Sequence, residues 1–184
     1  MAWTLLLAAG QGNRLASATG GLAKQFLDWK GAPLYWESAL VFSRCARVEG
    51  LVFVFPEACI DEERERVAGL MRNASLGIPW KVVAGGALRQ DSVRNGLSAL
   101  PDDCMEVLIH DAARPFVSPV LVNRILDGLY GEASGECVAA CIPGILVGDT
   151  IKVMDEEKKV VATTERKHLM AVQTPAGFYL AFLR

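Results

Sequence analysis

Trp3-Thr4-Leu5-Leu6-Leu7-Ala8-Ala9-Gly10-Gln11-Gly12-Asn13-Arg14 decides the fold class, because an uncharged apolar run breaks directly into a glycine-containing loop that ends on a cation. A short apolar run bounded by turn residues reads as a strand buried on both faces. The same pattern recurs at Leu51 to Phe55, Trp80 to Ala84, Met105 to Ile109 and Cys137 to Ile142. Helical patterns fill the intervals at Pro33 to Cys45, Asp61 to Met71, Arg89 to Leu100 and Pro119 to Leu129. Pro33 stands early in the first helix, whose inner face is supplied by Leu34, Ala39, Leu40 and Phe42. Asp61 is expected to cap the second, and Ser118 to cap the fourth with Pro119 at its first position. This alternation predicts an α/β fold, a mostly parallel twisted sheet with helices on both faces, Rossmann-like in layout.

Composition narrows the function. A chain of 184 residues, 52% of them hydrophobic, is expected to form one domain over 1–184 with a real core. Its 19 Lys+Arg and 21 Asp+Glu give a net charge of −2, so no general basic field is available for a nucleic-acid backbone. Cys45, Cys59, Cys104, Cys137 and Cys141 form no CxxC pair and are expected to be reduced thiols. The opening apolar run lacks the basic region of a signal peptide, and no run approaches the roughly 18 residues of a spanning helix. A cytoplasmic protein with no membrane partner is expected.

The loop after the first strand carries the first chemistry. Glycines there let backbone N–H groups approach phosphate oxygens closely. A dinucleotide fingerprint would need Gly or Ala where this chain has Leu15, and no G-x-x-x-x-G-K-[ST] is present, so NAD-type and P-loop readings lose support. Arg14 and Lys24 are either ordinary surface cations or a pair converging on a triphosphate whose α-phosphorus is attacked. At the end of the fourth strand, Asp111 offers a hard oxygen ligand suited to Mg²⁺, or else caps a turn. His110 beside it reads as a hydrogen-bonded structural imidazole. After the third strand, Gly85-Gly86 would let a flat base lie against backbone, with the Ser92 hydroxyl near it.

Beyond Pro143-Gly144 the rhythm changes. Ile151-Lys152-Val153-Met154, a polar turn, and Val160-Val161-Ala162-Thr163-Thr164 predict a β-hairpin, within an arm at about 144–166. It is either an edge hairpin of the same subunit or an arm that reaches a second one.

Seven stretches in order resemble one family: Ala8 to Arg14, Lys24-Gln25-Phe26, Gly85-Gly86 with Arg89 to Leu97, His110 to Phe116, Asp149 to Lys152, Thr164-Glu165-Arg166 and Gln173-Thr174-Pro175. The chain resembles the 2-C-methyl-D-erythritol 4-phosphate cytidylyltransferases of the non-mevalonate isoprenoid pathway. The resemblance implies a nucleotidyltransferase that moves CMP from CTP to the phosphate of methylerythritol phosphate, releases pyrophosphate and needs Mg²⁺. It implies that Arg14 and Lys24 stabilise the transition state and that Asp111 holds the metal. Ala8, Ala9, Gly10, Gly12, Gly85, Gly86 and Ser92 would surround the nucleotide. Thr150 and Arg166 would grip the acceptor phosphate from the partner subunit's arm, which implies a homodimer.

The chain departs from the family pattern at Ala23, where Pro is usual, and at Ala176, where Gln is usual. The family continues past this point with a Gly-Asp…Asn…Lys…Thr segment. This chain is therefore expected to be a trimmed product, the first part of a fusion with the cyclodiphosphate synthase of the same pathway, or an enzyme with impaired turnover. Two other functions stay open: a ribitol-phosphate-type cytidylyltransferase and a noncatalytic nucleotide-binding module.

Overall fold

Leu5 and Leu6 are both fully buried although they point to opposite sides of a strand, which places the first apolar run at the centre of a two-faced sheet. In the computed structural model, which describes residues 1–10, 22–131 and 138–183, this run is β1 (Ala2–Leu7). There follow β2 (Asp28–Trp29), β3 (Ala32–Pro33), α1 (Leu34–Ser43), β4 (Val48–Phe55), α2 (Ile60–Asn73), β5 (Trp80–Ala84), α3 (Arg89–Ser98), β6 (Glu106–Asp111) and α4 (Pro119–Leu129). The last part comprises β7 (Ala140–Cys141), β8 (Gly144–Leu146), β9 (Ile151–Met154), β10 (Val160–Thr164), β11 (Met170–Val172) and β12 (Ala176–Tyr179).

Six strands form one sheet in the order β5-β4-β1-β6-β12-β7. β5, β4, β1 and β6 run parallel, and β12 lies antiparallel to both β6 and β7. The mostly parallel twisted sheet expected from the sequence is therefore present. Ala2, Leu6 and Ala8 join a cluster with Tyr35, Trp36 and Phe42 of α1, Val67 of α2, and Ile125 and Leu126 of α4. Trp3 and Leu5 face the other way, into a cluster packed by Val93 and Leu97 of α3. Helices thus cover both faces.

Three expectations change in detail. The strand expected at Met105 to Ile109 starts and ends later, because Met105 is largely exposed and the ladder with β1 runs on to Asp111. The run expected at Cys137 to Ile142 is a strand only at Ala140–Cys141, with Cys137 outside the described residues. At the sheet edge it pairs only with Gly177 and Phe178. Asp61 does not cap α2; Cys59 holds that position, and Asp61 sits in the first turn, where a carboxylate complements the helix dipole and pairs with Arg64. Ser118 does cap α4, accepting from the Leu121 N–H at 3.2 Å.

β12 has no counterpart in the sequence reading. It lies beneath α4, so closely that a Cβ on Gly177 would come 2.7 Å from Ile125 Cγ2. Between β7 and β12 the chain leaves the sheet as two antiparallel ribbons, β8 with β11 and β9 with β10. The hairpin expected at 151–164 is the second of these. Ile145, Leu146, Met154, Val160, Val161 and Val172 on these ribbons are each more than half exposed. The four described cysteines are free thiols. Among the described residues no helix is long and apolar enough to cross a membrane.

Candidate active site

β1 is the point where strand order reverses: the chain moves to β4 and β5 on one side and later to β6 on the other. In open α/β sheets the crevice outside the carboxyl ends of the strands at such a point is where ligands bind. Leu7 pairs in register with Asp111, and the Ala112 N–H donates to the Leu7 carbonyl at 3.0 Å. The Ala8-Ala9-Gly10 segment therefore begins beside Asp111 at the end of β6.

Ala8 is buried, with its N–H donating to the Val54 carbonyl at 2.8 Å, whereas a Cβ on Gly10 would meet nothing within 4 Å. Gly12 and Arg14 lie outside the described residues. Lys24 opens a short 3₁₀ turn, Lys24–Phe26, with its own side chain exposed. Gln25 in the same turn is buried, and its Nε2 donates to the carbonyls of Ala8 at 2.6 Å and Gly10 at 2.7 Å. This turn and the start of the glycine loop form one hydrogen-bonded unit.

The Gly85-Gly86 turn arrives from the far side of β4. The Gly85 N–H donates to the Phe55 carbonyl at 2.7 Å, and a Cβ at Gly85 would lie 2.4 Å from Ala9 Cβ. Only glycine permits that approach. Ser92 is buried, and its hydroxyl accepts from the Gly86 N–H at 3.1 Å and donates to the Leu88 carbonyl at 3.3 Å. Ser92 thus holds the turn rather than presenting a free hydroxyl. Asp91 accepts from the Leu88 N–H at 3.1 Å, closing the start of α3.

Asp111 is one-third exposed at the end of β6. Arg89 at the start of α3 donates to Asp111 Oδ1 at 3.0 Å, and Arg114 approaches Oδ2 at 3.7 Å. His110 is fully buried, and burial pushes its pKa down from 6.5 to about 4, so the ring is neutral. Its Nε2 meets the Arg114 carbonyl at 3.0 Å and therefore carries the proton, leaving Nδ1 to accept from the Thr174 hydroxyl at 3.2 Å. Thr174 Oγ1 in turn accepts from the Asp111 N–H at 3.4 Å. Both ring nitrogens are occupied, as a structural imidazole requires.

The structure brings together Ala8, Ala9, Gly10, Lys24, Gly85, Gly86, Ser92 and Asp111 along one sheet edge. It places Thr150 and Arg166 elsewhere, on the arm. Thr150 is exposed just before β9, and exposed Arg166 follows β10 and donates to the Gly148 carbonyl. Sequence reasoning missed Gln25, Arg89 and Thr174 as site residues, although each stands inside a stretch already singled out. A cavity of about 490 Å³ beside α2 is lined by Asp28, Gly31, Arg66 and Arg72 and by none of these residues. The Asp111 carboxylate with Arg89 on it, beside two glycine-containing turns, argues for the sheet edge instead.

The fold and its neighbours agree. A synthase of 4-diphosphocytidyl-2C-methyl-D-erythritol from Anaerococcus prevotii superposes with a TM-score of 0.77 over all of this chain and 71% of that one, at 22% identity. Among curated relatives, a bifunctional IspD/IspF enzyme of Oleidesulfovibrio alaskensis is 52% identical across 98% of this chain. A 2-C-methyl-D-erythritol 4-phosphate cytidylyltransferase of Alkaliphilus metalliredigens is 33% identical over 98% of this chain and 70% of its own length. The chain spans 44% of the length of the bifunctional relative. A family profile matches residues 2–184, and the chain therefore belongs to the IspD, or 2-C-methyl-D-erythritol 4-phosphate cytidylyltransferase, family.

Proposed function

We propose that this chain transfers CMP from CTP to the phosphate of 2-C-methyl-D-erythritol 4-phosphate, forming the CDP-methylerythritol product and pyrophosphate. The observation that carries this reading is the unit in which Gln25 ties the Lys24 turn to Ala8 and Gly10, beside Asp111 at the same sheet edge. An acceptor phosphate oxygen forms a bond to the α-phosphorus of CTP while the bond from that phosphorus to the bridging oxygen breaks. Pyrophosphate leaves with the electron pair. Both reactants are anionic, so the barrier includes their mutual repulsion and the charge that grows on the α-phosphoryl oxygens. Lys24 and Arg14 meet that charge. The acceptor phosphate is already ionised near neutral pH, so no general base is needed, and the neutral, fully engaged His110 is not asked to serve as one.

The residues present fit Mg²⁺. Asp111, a partly exposed carboxylate whose oxygens lie near Arg89 and Arg114, would suit an ion that takes one or two protein carboxylates and completes its shell with water and phosphate oxygens once Arg89 yields. Among the described residues no group of three or more His, Cys, Asp or Glu forms a protein cage for another metal. When bound at Asp111, Mg²⁺ supplies charge neutralisation across the triphosphate. Ala8, Ala9, Gly10, Gly12, Gly85 and Gly86 furnish backbone for the nucleotide, and Ser92 holds the second glycine turn in shape.

The exposed apolar surface of the arm supports a homodimer in which Thr150 and Arg166 reach the acceptor phosphate in the partner's site. The protein works in the cytoplasm, joined to or beside the cyclodiphosphate synthase, as the bifunctional names of its relatives suggest. Pyrophosphate release from CTP and Mg²⁺, assayed separately with methylerythritol phosphate and ribitol phosphate, tests the reading. Turnover with methylerythritol phosphate is expected. Faster turnover with ribitol phosphate, or CTP binding with no turnover on either acceptor, would overturn it.

A further inference from the structure

Gln25 is 4% exposed inside a turn whose neighbour Lys24 is open to solvent. A primary amide carries two N–H donors, and both are committed: Nε2 lies 2.6 Å from the Ala8 carbonyl and 2.7 Å from the Gly10 carbonyl. Those carbonyls precede the loop and Gln25 follows it, so one side chain ties the two ends together across sequence separations of 17 and 15 residues. The peptide plane makes this directional. With the Ala8 carbonyl turned toward Gln25, the Ala9 N–H in the same trans peptide points the opposite way.

The other side of the turn is wedged. Phe26 meets Tyr35 edge-on with ring centres 6.2 Å apart and Phe55 at 6.1 Å. Tyr35 is itself fixed, fully buried with its hydroxyl donating to Glu63 at 2.7 Å. The backbone of Lys24 is thus held from front and back, while its long side chain remains free to meet a ligand.

We infer that Gln25 is a positioning residue that sets Lys24 and the Ala8-Ala9-Gly10 backbone in one frame, so that cation and nucleotide-binding amides meet the same phosphate group. The inference rests on the proposed cytidylyl transfer. A lysine ammonium is a point charge on a flexible stem, and its value to a transition state depends on where the stem is rooted.

The test compares the full chain with Gln25→Met, Gln25→Glu and Lys24→Ala. Methionine keeps the volume and removes both donors. It should lower kcat about 10-fold to 100-fold, the scale of a small misplacement of a catalytic group, with the KM for the acceptor nearly unchanged. In Gln25→Glu the protonated acid still donates to one carbonyl, whereas the ionised form repels both. Its activity should fall as pH rises through a range in which the wild type is flat.

Wild-type kcat and CTP affinity in Gln25→Met, with Lys24→Ala crippled, would overturn the role of Gln25 alone. If Gln25→Met does not fold, the Gln25→Glu profile decides, and a wild-type profile overturns the inference. If the wild type binds CTP without turnover, the proposed function fails and CTP affinity becomes the measure. A tenfold loss in Gln25→Met then supports the positioning role, and no loss overturns it. A chain that takes no CTP overturns both.

Discussion

Arg89 and Asp111 meet at 3.0 Å across the carboxyl edge of the sheet, joining the first residue of α3 to the last of β6. The pair is partly solvent-exposed, so it adds little to stability. It holds the Asp111 carboxylate in one orientation, which under the proposed function is the carboxylate that would hold the metal. Asp111→Asn keeps the shape and removes the charge. Pyrophosphate release should fall about 10²–10³-fold, the scale of losing one transition-state electrostatic partner. Titration with Mg²⁺ should show the remaining activity shifted to higher metal concentration.

Lys24→Ala should depress kcat by about 10²–10³-fold while leaving the melting temperature close to wild type, because the side chain is exposed. Single-turnover measurement of CMP transfer checks the chemical step directly.

Arg166 lies on the arm, not at the edge that carries Lys24. Arg166→Ala should chiefly raise the KM for the acceptor. Mixing Arg166→Ala with Lys24→Ala chains should restore activity in heterodimers, since one of the two shared sites regains both residues. No recovery would rule out the shared-site dimer.

His110 makes stability depend on acid. Burial lowers its folded pKa to about 4 from 6.5, so between these values the unfolded chain binds more protons than the folded one. Stability is complete above about pH 6.5 and is lost as pH falls toward 4, by an amount on the order of 3 kcal/mol. Urea unfolding at a series of pH values should show this slope, and a folded His110→Asn variant should flatten it.

Gly85→Ala would place a Cβ 2.4 Å from Ala9 Cβ and 2.8 Å from Ser92 Oγ. Such overpacking costs about 1–3 kcal/mol. Thermal unfolding should drop by several degrees, and CTP affinity should weaken as Ala9 is displaced.

The central strands, helices α1 to α4, the hairpin of β9 and β10, and the place of Gly85, Gly86 and Asp111 at strand ends were legible because each signal is local. Apolar runs, a Ser-Pro cap and glycines beside charged residues need only a short window of chain. β12 escaped because its four residues, Ala176-Gly177-Phe178-Tyr179, carry no period; α4 and the edge of β6 make them a strand. The hydrogen bonds of Ser92 to the Gly86 N–H and the Leu88 carbonyl were not legible, because they form only once the turn before α3 has closed.

By itself the order of residues determined the α/β class, the strand that leads into Ala8-Ala9-Gly10, and the carboxylate ending a central strand. Tertiary structure alone decided that Gln25 binds Ala8 and Gly10, that Arg89 faces Asp111, and that Thr174 completes the hydrogen bonding of His110. The physical reason is distance along the chain. These partners lie from 15 to 64 residues apart, and a hydrogen bond between them exists only after the sheet has packed and its strands have taken their places.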